Sequence, residues 1–276
     1  MNNIDQKTVN SFGDEWKRFN QKKLFGKEHK NLFDAYFHIF PWETLPKKAQ
    51  GFDMGCGSGR WASLVAPKVS QLTCIDPSDV VLDVAKNRLK DFSNITYVNA
   101  GVSDNPLPPN SQDFGYSLGV LHHIPNTVEA LKDCVKILKP GAPFLIYLYY
   151  KFDNRPVWYA FVWRVSDIIR RLISSTPPRL KAILTNLIAF AIYFPLARMA
   201  LIAEKIGFNV NNWLLSSYRT TSFYTMKTDS RDRFGTPLEK RFTRLEIMEM
   251  MQIAGLDNIK FSDRTPFWCA VGQKKI

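Results

Sequence analysis

A chain of 276 residues with 45% hydrophobic content is long and apolar enough to bury a sizeable core, and it reads as one large globular domain with insertions. Four scattered cysteines with no C-x-x-C pair, and four histidines at no zinc-type spacing from them, exclude a disulfide scaffold and a structural metal; with a polar, charged start that predicts no signal peptide, they point to a cytoplasmic, reducing compartment. The net charge of +12 leaves three partners open: nucleic acid, an anionic membrane surface or an acidic substrate.

Residues 1–28 are polar with interspersed Phe12, Trp16, Phe19 and Phe25, and predict a helical arm. Residues 29–40 carry Leu32, Phe33, Tyr36, Phe37 and Phe40 at a helical period, which Pro41 ends. Strands and helices then alternate. Strands are predicted at 51–54, 71–75, 95–98, 114–118 and 144–150. Helices are predicted over 61–66, from Pro77-Ser78 through Leu89, and from a capping box at Asn126 and Glu129 to Leu138, with Gly141 as the stop signal. Such alternation argues for a parallel sheet covered on both faces. The pattern lapses between residues 154 and 240. It resumes with a second capping box, Thr243 and Glu246, a helix to Ile253 and an antiparallel pair at 259–261 and 268–272.

The most informative stretch is Asp53-Met54-Gly55-Cys56-Gly57-Ser58-Gly59-Arg60, followed by Asp76 at the end of the next strand. A strand feeding a tight glycine turn lets backbone come close to a ligand, and an acid further on receives ribose hydroxyls. The dinucleotide fingerprint G-x-G-x-x-G fits only in part, because its third glycine would fall on Arg60. With Asp113-Phe114-Gly115-Tyr116-Ser117-Leu118 running into His122-His123, and with Leu138-Lys139-Pro140-Gly141 before a strand, the chain resembles the class I S-adenosylmethionine (SAM)-dependent methyltransferases of the type 11/25 kind.

That resemblance implies a Rossmann-like α/β fold: a seven-stranded sheet with helices on both faces and a mainly helical insertion between strand 5 and the last helix. It divides the chain into an arm (1–28), a SAM-binding core (29–153 and 241–276) and a substrate-lid insertion (154–240). The cofactor it implies is SAM. The residues it assigns to that cofactor are Asp53, Gly55, Cys56, Gly57, Gly59, Arg60, Asp76, Pro77, Gly101, Val102, Ser103, Leu118 and Gly119. Asp53 would touch the donor's amino group or brace the glycine turn. Asp76 would take the ribose or cap the helix after Pro77-Ser78. Val102 or Ser103 would meet the base, where many relatives carry an acid. His122 and His123 are the candidate bases, because imidazole titrates near neutrality. Trp16, Tyr147, Tyr149, Arg219, Tyr224 and Arg233 are the candidates for the methyl acceptor.

Nine basic residues against three acids between Lys151 and Ile206 place half of the net charge in a very apolar part of the insertion. As a helix, Trp158, Phe161, Val165, Ile168 and Leu172 share one face and Arg164, Asp167 and Arg171 the other. Residues 182–197 carry no charge, but Asn186, Pro195 and Arg198 argue against a transmembrane span. A lid, an interfacial membrane surface and a span all stand as readings. The leading function is O- or N-methylation of a small molecule, sugar-derived or lipid-linked, by a protein peripheral on the inner face of a membrane. The alternatives are a nucleic-acid methyltransferase and a non-catalytic SAM-binding protein. Asn105-Pro106-Leu107-Pro108 lacks the aromatic of a base-amine motif and no Pro-Cys pair marks cytosine chemistry, so nucleic acid is disfavoured.

Overall fold

The computed structural model describes residues 3–18 and 26–276. Phe19 and Phe25 of the predicted arm lie outside these. The chain forms two compact units. One comprises Lys30–Lys151, Leu238–Ile276 and the amino-terminal helix α1 (Gln6–Arg18). The other comprises Phe152–Pro237 and the start of α2 (Gly26–Phe37).

Among the described residues the first unit builds a seven-stranded sheet. Its strands are β1 (Gln50–Met54), β2 (Gln71–Asp76), β3 (Ile95–Asn99), β4 (Phe114–Leu118), β5 (Pro143–Tyr147), β6 (Leu256–Phe261) and β7 (Cys269–Lys274). Their order is β3-β2-β1-β4-β5-β7-β6, parallel except for β7, which runs antiparallel to both its neighbours. Strand order reverses between β1 and β4, and a ligand crevice forms outside the carboxyl ends at such a point.

Both faces are covered by helices. Leu72, Tyr116 and Leu145 pack with Phe33 and Phe37 of α2, with α3 (Ala62–Val65) and with α4 (Asp79–Arg88). Phe52, Phe144 and Ile146 pack on α5 (Thr127–Ile137) and a helix over Arg244–Ile253. At the centre, Gly51 pairs with Phe114 and Phe52 with Gly115. Each glycine leaves room for the ring of its partner: a Cβ on Gly51 would come within 2.2 Å of Phe114, and one on Gly115 within 2.3 Å of Phe52.

Two local expectations are revised. Strand 5 ends at Tyr147, because its partner β7 begins at Cys269, opposite that residue. Beyond it, Tyr150 bridges only to Phe242, where the chain re-enters this unit. At Asn126 only half of a capping box forms: its side chain accepts from the Glu129 N–H, and the Glu129 carboxylate turns to Lys132. The box at Thr243 is complete, with Thr243 and Glu246 each accepting the other's backbone N–H. Thr243→Ala should cost about 1 kcal/mol, read as a melting-point drop of roughly 2–4 °C. An unchanged melting point would deny the box any contribution.

The second unit holds α6 (Val157–Ser174), α7 (Pro178–Ile188), α8 (Phe194–Lys205) and α9 (Phe223–Gly235), the last helix above being α10. A π turn, Ala189–Tyr193, joins α7 to α8 into one continuous helix.

Candidate active site

The glycine turn leaves β1 at the switch point. Gly55, Gly57 and Gly59 sit at φ +76°, +55° and +71°, a region that side-chain-bearing residues rarely adopt. The Gly55 and Cys56 N–H groups both donate to the Ile75 carbonyl, at 2.8 and 3.0 Å, which ties the turn to β2. Asp76, at the end of β2, completes the cradle. Its Oδ2 accepts from the Gly57 N–H at 3.2 Å and its Oδ1 from the Ser78 N–H at 3.1 Å. A carboxylate offers about four acceptor positions, so each oxygen retains one for a ligand. Burial pushes the Asp76 carboxyl up to about 6, tempered by those two amides.

Asp53 lies deeper, almost fully buried, and its Oδ2 has no hydrogen-bond partner. Burial raises its pKa to about 8, with the Tyr116 hydroxyl and Arg60 pulling down and Asp76 pushing up. The Arg60 guanidinium lies 4.4 Å from the Trp61 ring centre. Cys56 is buried, and its neighbour Cys74 and burial hold its thiol well above the usual range. Pro77 is half-buried beside Asp76.

After β3, Gly101 is buried, and a Cβ there would meet Ile4 at 2.5 Å. Val102 packs into the core face that holds α5. The Ser103 hydroxyl donates to Asp133 at 2.6 Å, so it is spent within the protein. Asn99 donates to Asp79. At the end of β4, Leu118 is buried, and Gly119, at φ +79°, donates its N–H to the Tyr147 carbonyl at 3.0 Å.

The histidines and tyrosines converge. His122 stacks on Tyr149 with ring centres 4.0 Å apart, and His123 lies 3.9 Å from His122. Tyr147 meets Tyr149 and Tyr36 edge-on. Both tyrosines are buried on the α2 side of the sheet. His122 is fully buried, neither ring nitrogen has a partner, and burial, then His123 and Arg241, holds its pKa well below the usual value. His123 Nδ1 lies 2.6 Å from the Leu238 carbonyl. A carbonyl only accepts, so Nδ1 is the donor of this bond, and in the neutral tautomer with that arrangement the lone pair is on Nε2.

Two contributions escaped the sequence reading. The first is α1 as a roof. Asn3 exchanges two hydrogen bonds with Asn126, Thr8 accepts from the Leu238 N–H, and Phe12 meets His123 edge-on. A Cβ on Gly13 would touch Ser78, and one on Gly57 would lie 3.4 Å from the Trp16 indole. This helix and the residues just before it, Asn3 and Ile4, thus reach the loops after β1, β2, β3 and β4. The spacing of Ile4, Thr8 and Phe12 carried that signal. The second is the return segment. Lys240 donates its N–H to the His122 carbonyl, and Arg241 pairs with buried Glu239 at 2.8 Å while its guanidinium lies over Tyr149. Nothing local announced it.

The acceptor candidates divide. Trp16, Tyr147 and Tyr149 belong to the first unit with the glycine turn. Arg219, Tyr224 and Arg233 belong to the second. There Arg219 forms a two-point pair with Glu204, both contacts 2.8 Å, and donates to the Ser216 carbonyl. Among the described residues no group of three His, Cys, Asp or Glu stands ready to hold a metal ion.

Residues 52–146 match the family model described as "Methyltransferase domain". A demethylmenaquinone methyltransferase of Tropheryma whipplei is 27% identical over 218 residues, covering 74% of this chain and 89% of the relative. Among solved structures, an N-methyltransferase of Haemonchus contortus in complex with phosphomonomethylethanolamine and S-adenosylhomocysteine aligns with TM-score 0.54 and 18% identity, over 92% of this chain and 46% of that one. An O-methyltransferase family protein of Burkholderia thailandensis aligns with TM-score 0.54 and 13% identity, over 98% and 60%. The residues present fit SAM: a cradle of left-handed glycines, an orphaned buried carboxylate oxygen for its ammonium, and a carboxylate with two open acceptor positions for its ribose. The chain is a class I SAM-dependent methyltransferase.

Proposed function

We propose that this enzyme methylates a small apolar acceptor of the lipid-linked kind, drawn from a membrane surface. The observation that carries the donor side is the buried Asp53 carboxylate beside the glycine turn, whose Oδ2 meets no geometric hydrogen-bond partner although the Tyr116 hydroxyl and the Asp76 charge both act on it. In this reading Asp53 receives the donor's ammonium, Asp76 its ribose hydroxyls, and the loop at Gly101-Val102 its base. The bound cofactor supplies an electrophilic methyl group on a sulfonium.

The protein's own work is to orient the acceptor, exclude water and take a proton. His123, aligned by the Leu238 carbonyl, presents Nε2 as the proton acceptor. His122 stays neutral in its buried stack, and Tyr147 and Tyr149 form an apolar wall. A charged or strongly hydrated acceptor would lose its water shell at such a wall at a cost of several kcal/mol, whereas a flat apolar ring would not.

The insertion leaves the first unit after Lys151, which donates its N–H to the Phe242 carbonyl, and the chain re-enters that unit at Leu238, whose carbonyl meets His123. We assign it the acceptor side. The demethylmenaquinone in the name of the Tropheryma relative makes that quinone the first acceptor to try. The nucleic-acid reading is weaker, because the exposed cations of the insertion are interspersed with exposed apolar side chains rather than gathered on a polar groove.

The test incubates the enzyme and methyl-labelled SAM with separated lipid and aqueous extracts, with RNA, and with demethylmenaquinone. Label is expected in an organic-phase product. Label confined to aqueous products or to RNA would defeat the reading.

A further inference from the structure

The second unit leaves many large apolar side chains exposed. Among the described residues, 19 of the 22 exposed large apolar side chains lie between Val157 and Trp213. Clusters of exposed large apolar side chains on this scale mark interaction surfaces. On α6 the stripe predicted from the sequence points to solvent: Phe161 is 68% exposed, Ile168 62% and Leu172 67%. On α7 and the π turn that follows it, Ile183, Leu187 and Phe190 do the same.

Its interior combines a small apolar cluster around Tyr193, Ala197, Tyr218 and Met226 with buried polar groups. Arg170 of α6 is buried and donates to the carbonyls of Thr236 and Pro237, both at 2.9 Å. Lys181 of α7 is buried and donates to the Gly235 carbonyl at 3.1 Å. The two cations cap the carboxyl end of α9, where a helix gathers negative partial charge. Ser230 of α9 donates to the Thr185 carbonyl at 2.8 Å, and Thr228 and Arg231 are buried too. Since α6 and α7 turn their cations in to reach α9, their apolar stripes must turn out.

We propose that these outward stripes are an interfacial docking surface for an anionic lipid bilayer, with α6 and the α7–α8 helix lying in the plane of the headgroups. Charge complementarity selects this occupant. Arg164 and Arg171, two helical turns apart and both exposed, border the apolar stripe of α6, Arg171 pairing with Asp167 at 2.9 Å; in the proposed arrangement their aliphatic stems would lie along the stripe and the Arg164 charge would reach the phosphates. Arg179 and Lys205, both exposed, stand near the two ends of the helix that runs over Pro178–Lys205. Between them residues 182–197 carry no charge. This inference rests on the second unit alone and deepens the proposal of a lipid-linked acceptor by naming the surface that would reach it.

The experiment sediments the full-length protein with vesicles of phosphatidylcholine alone or mixed with phosphatidylglycerol, across a salt series, beside SAM calorimetry. Binding to the anionic vesicles is expected, weakening with salt. The double variants Phe161→Asp with Ile168→Asp, and Ile183→Asp with Phe190→Asp, should each bind roughly tenfold more weakly with SAM affinity unchanged. These sites are exposed, and retained SAM binding reports an intact first unit. Wild-type protein that stays in the supernatant, or variants that bind as well as it does, would overturn the proposal. So would a dimer that the variants dissolve without any vesicle binding, which would make a second copy the occupant. Protein that resists alkaline carbonate extraction from cell membranes would overturn the in-plane arrangement in favour of a span. Loss of SAM binding in wild type would instead strike the functional reading and leave this one standing.

Discussion

Asp76→Ala is expected to weaken SAM binding by at least about a hundredfold. Two charge-assisted hydrogen bonds to ribose hydroxyls would be lost, each contributing about 1.5–3 kcal/mol. The Gly57 and Ser78 N–H groups would lose their acceptors as well, so the turn itself loosens. Asp76→Asn separates these effects. Its amide keeps one acceptor oxygen and turns the other position into a donor, so affinity should fall between wild type and alanine. Isothermal calorimetry reads the affinities, and thermal denaturation without ligand reads the loosening. Unchanged affinity in Asp76→Ala would place the ribose elsewhere.

SAM affinity is expected to rise with pH between 6 and 8 and to level off above 8. In the ligand-free enzyme the Asp53 carboxyl titrates near 8, because burial opposes its charge. At pH 7 it is mostly protonated, and receiving an ammonium requires it to ionise. Affinity should therefore climb by up to about tenfold per pH unit in that window, with up to about one proton released per SAM bound. The stability of the free protein runs the other way. A carboxyl raised from 3.8 to about 8 contributes fully below the unfolded value, and that contribution is lost as pH rises towards the folded one. The loss is on the order of 5 kcal/mol at the limit. The ligand-free protein should thus melt lower at pH 8 than at pH 5. Asp53→Asn should bind SAM more weakly and flatten the dependence above pH 6. A smaller dependence remains below it, from Asp76 near 6. Calorimetry in buffers of different ionisation enthalpy counts the protons. A flat affinity with no proton release would show that Asp53 does not meet the ammonium.

Features set by local backbone preference were legible. The alternation of strands and helices, the glycine turn at 55–59 and the Thr243–Glu246 box depend on residues a few positions apart, and all three stand in the structure. Strand 5 was read too long because its end depends on where β7 stops pairing, over 100 residues later in the chain. His122 and His123 were legible as candidates but not as roles. Burial decides that His122 stays neutral, and the Leu238 carbonyl decides which nitrogen of His123 holds the proton. The loop position offered Val102 or Ser103 for the base, and the structure adds that the Ser103 hydroxyl donates to Asp133 of α5.

By itself the sequence determined the fold class and the methyl donor, because a turn of left-handed glycines between two acids constrains backbone and ligand within some two dozen residues. Only the tertiary structure decided what the insertion does with its apolar stripes. Helical periodicity reports that a helix is amphipathic, not which side meets water. That choice belongs to Arg170 and Lys181, which turn inward to the carboxyl end of α9 and leave the apolar faces outside.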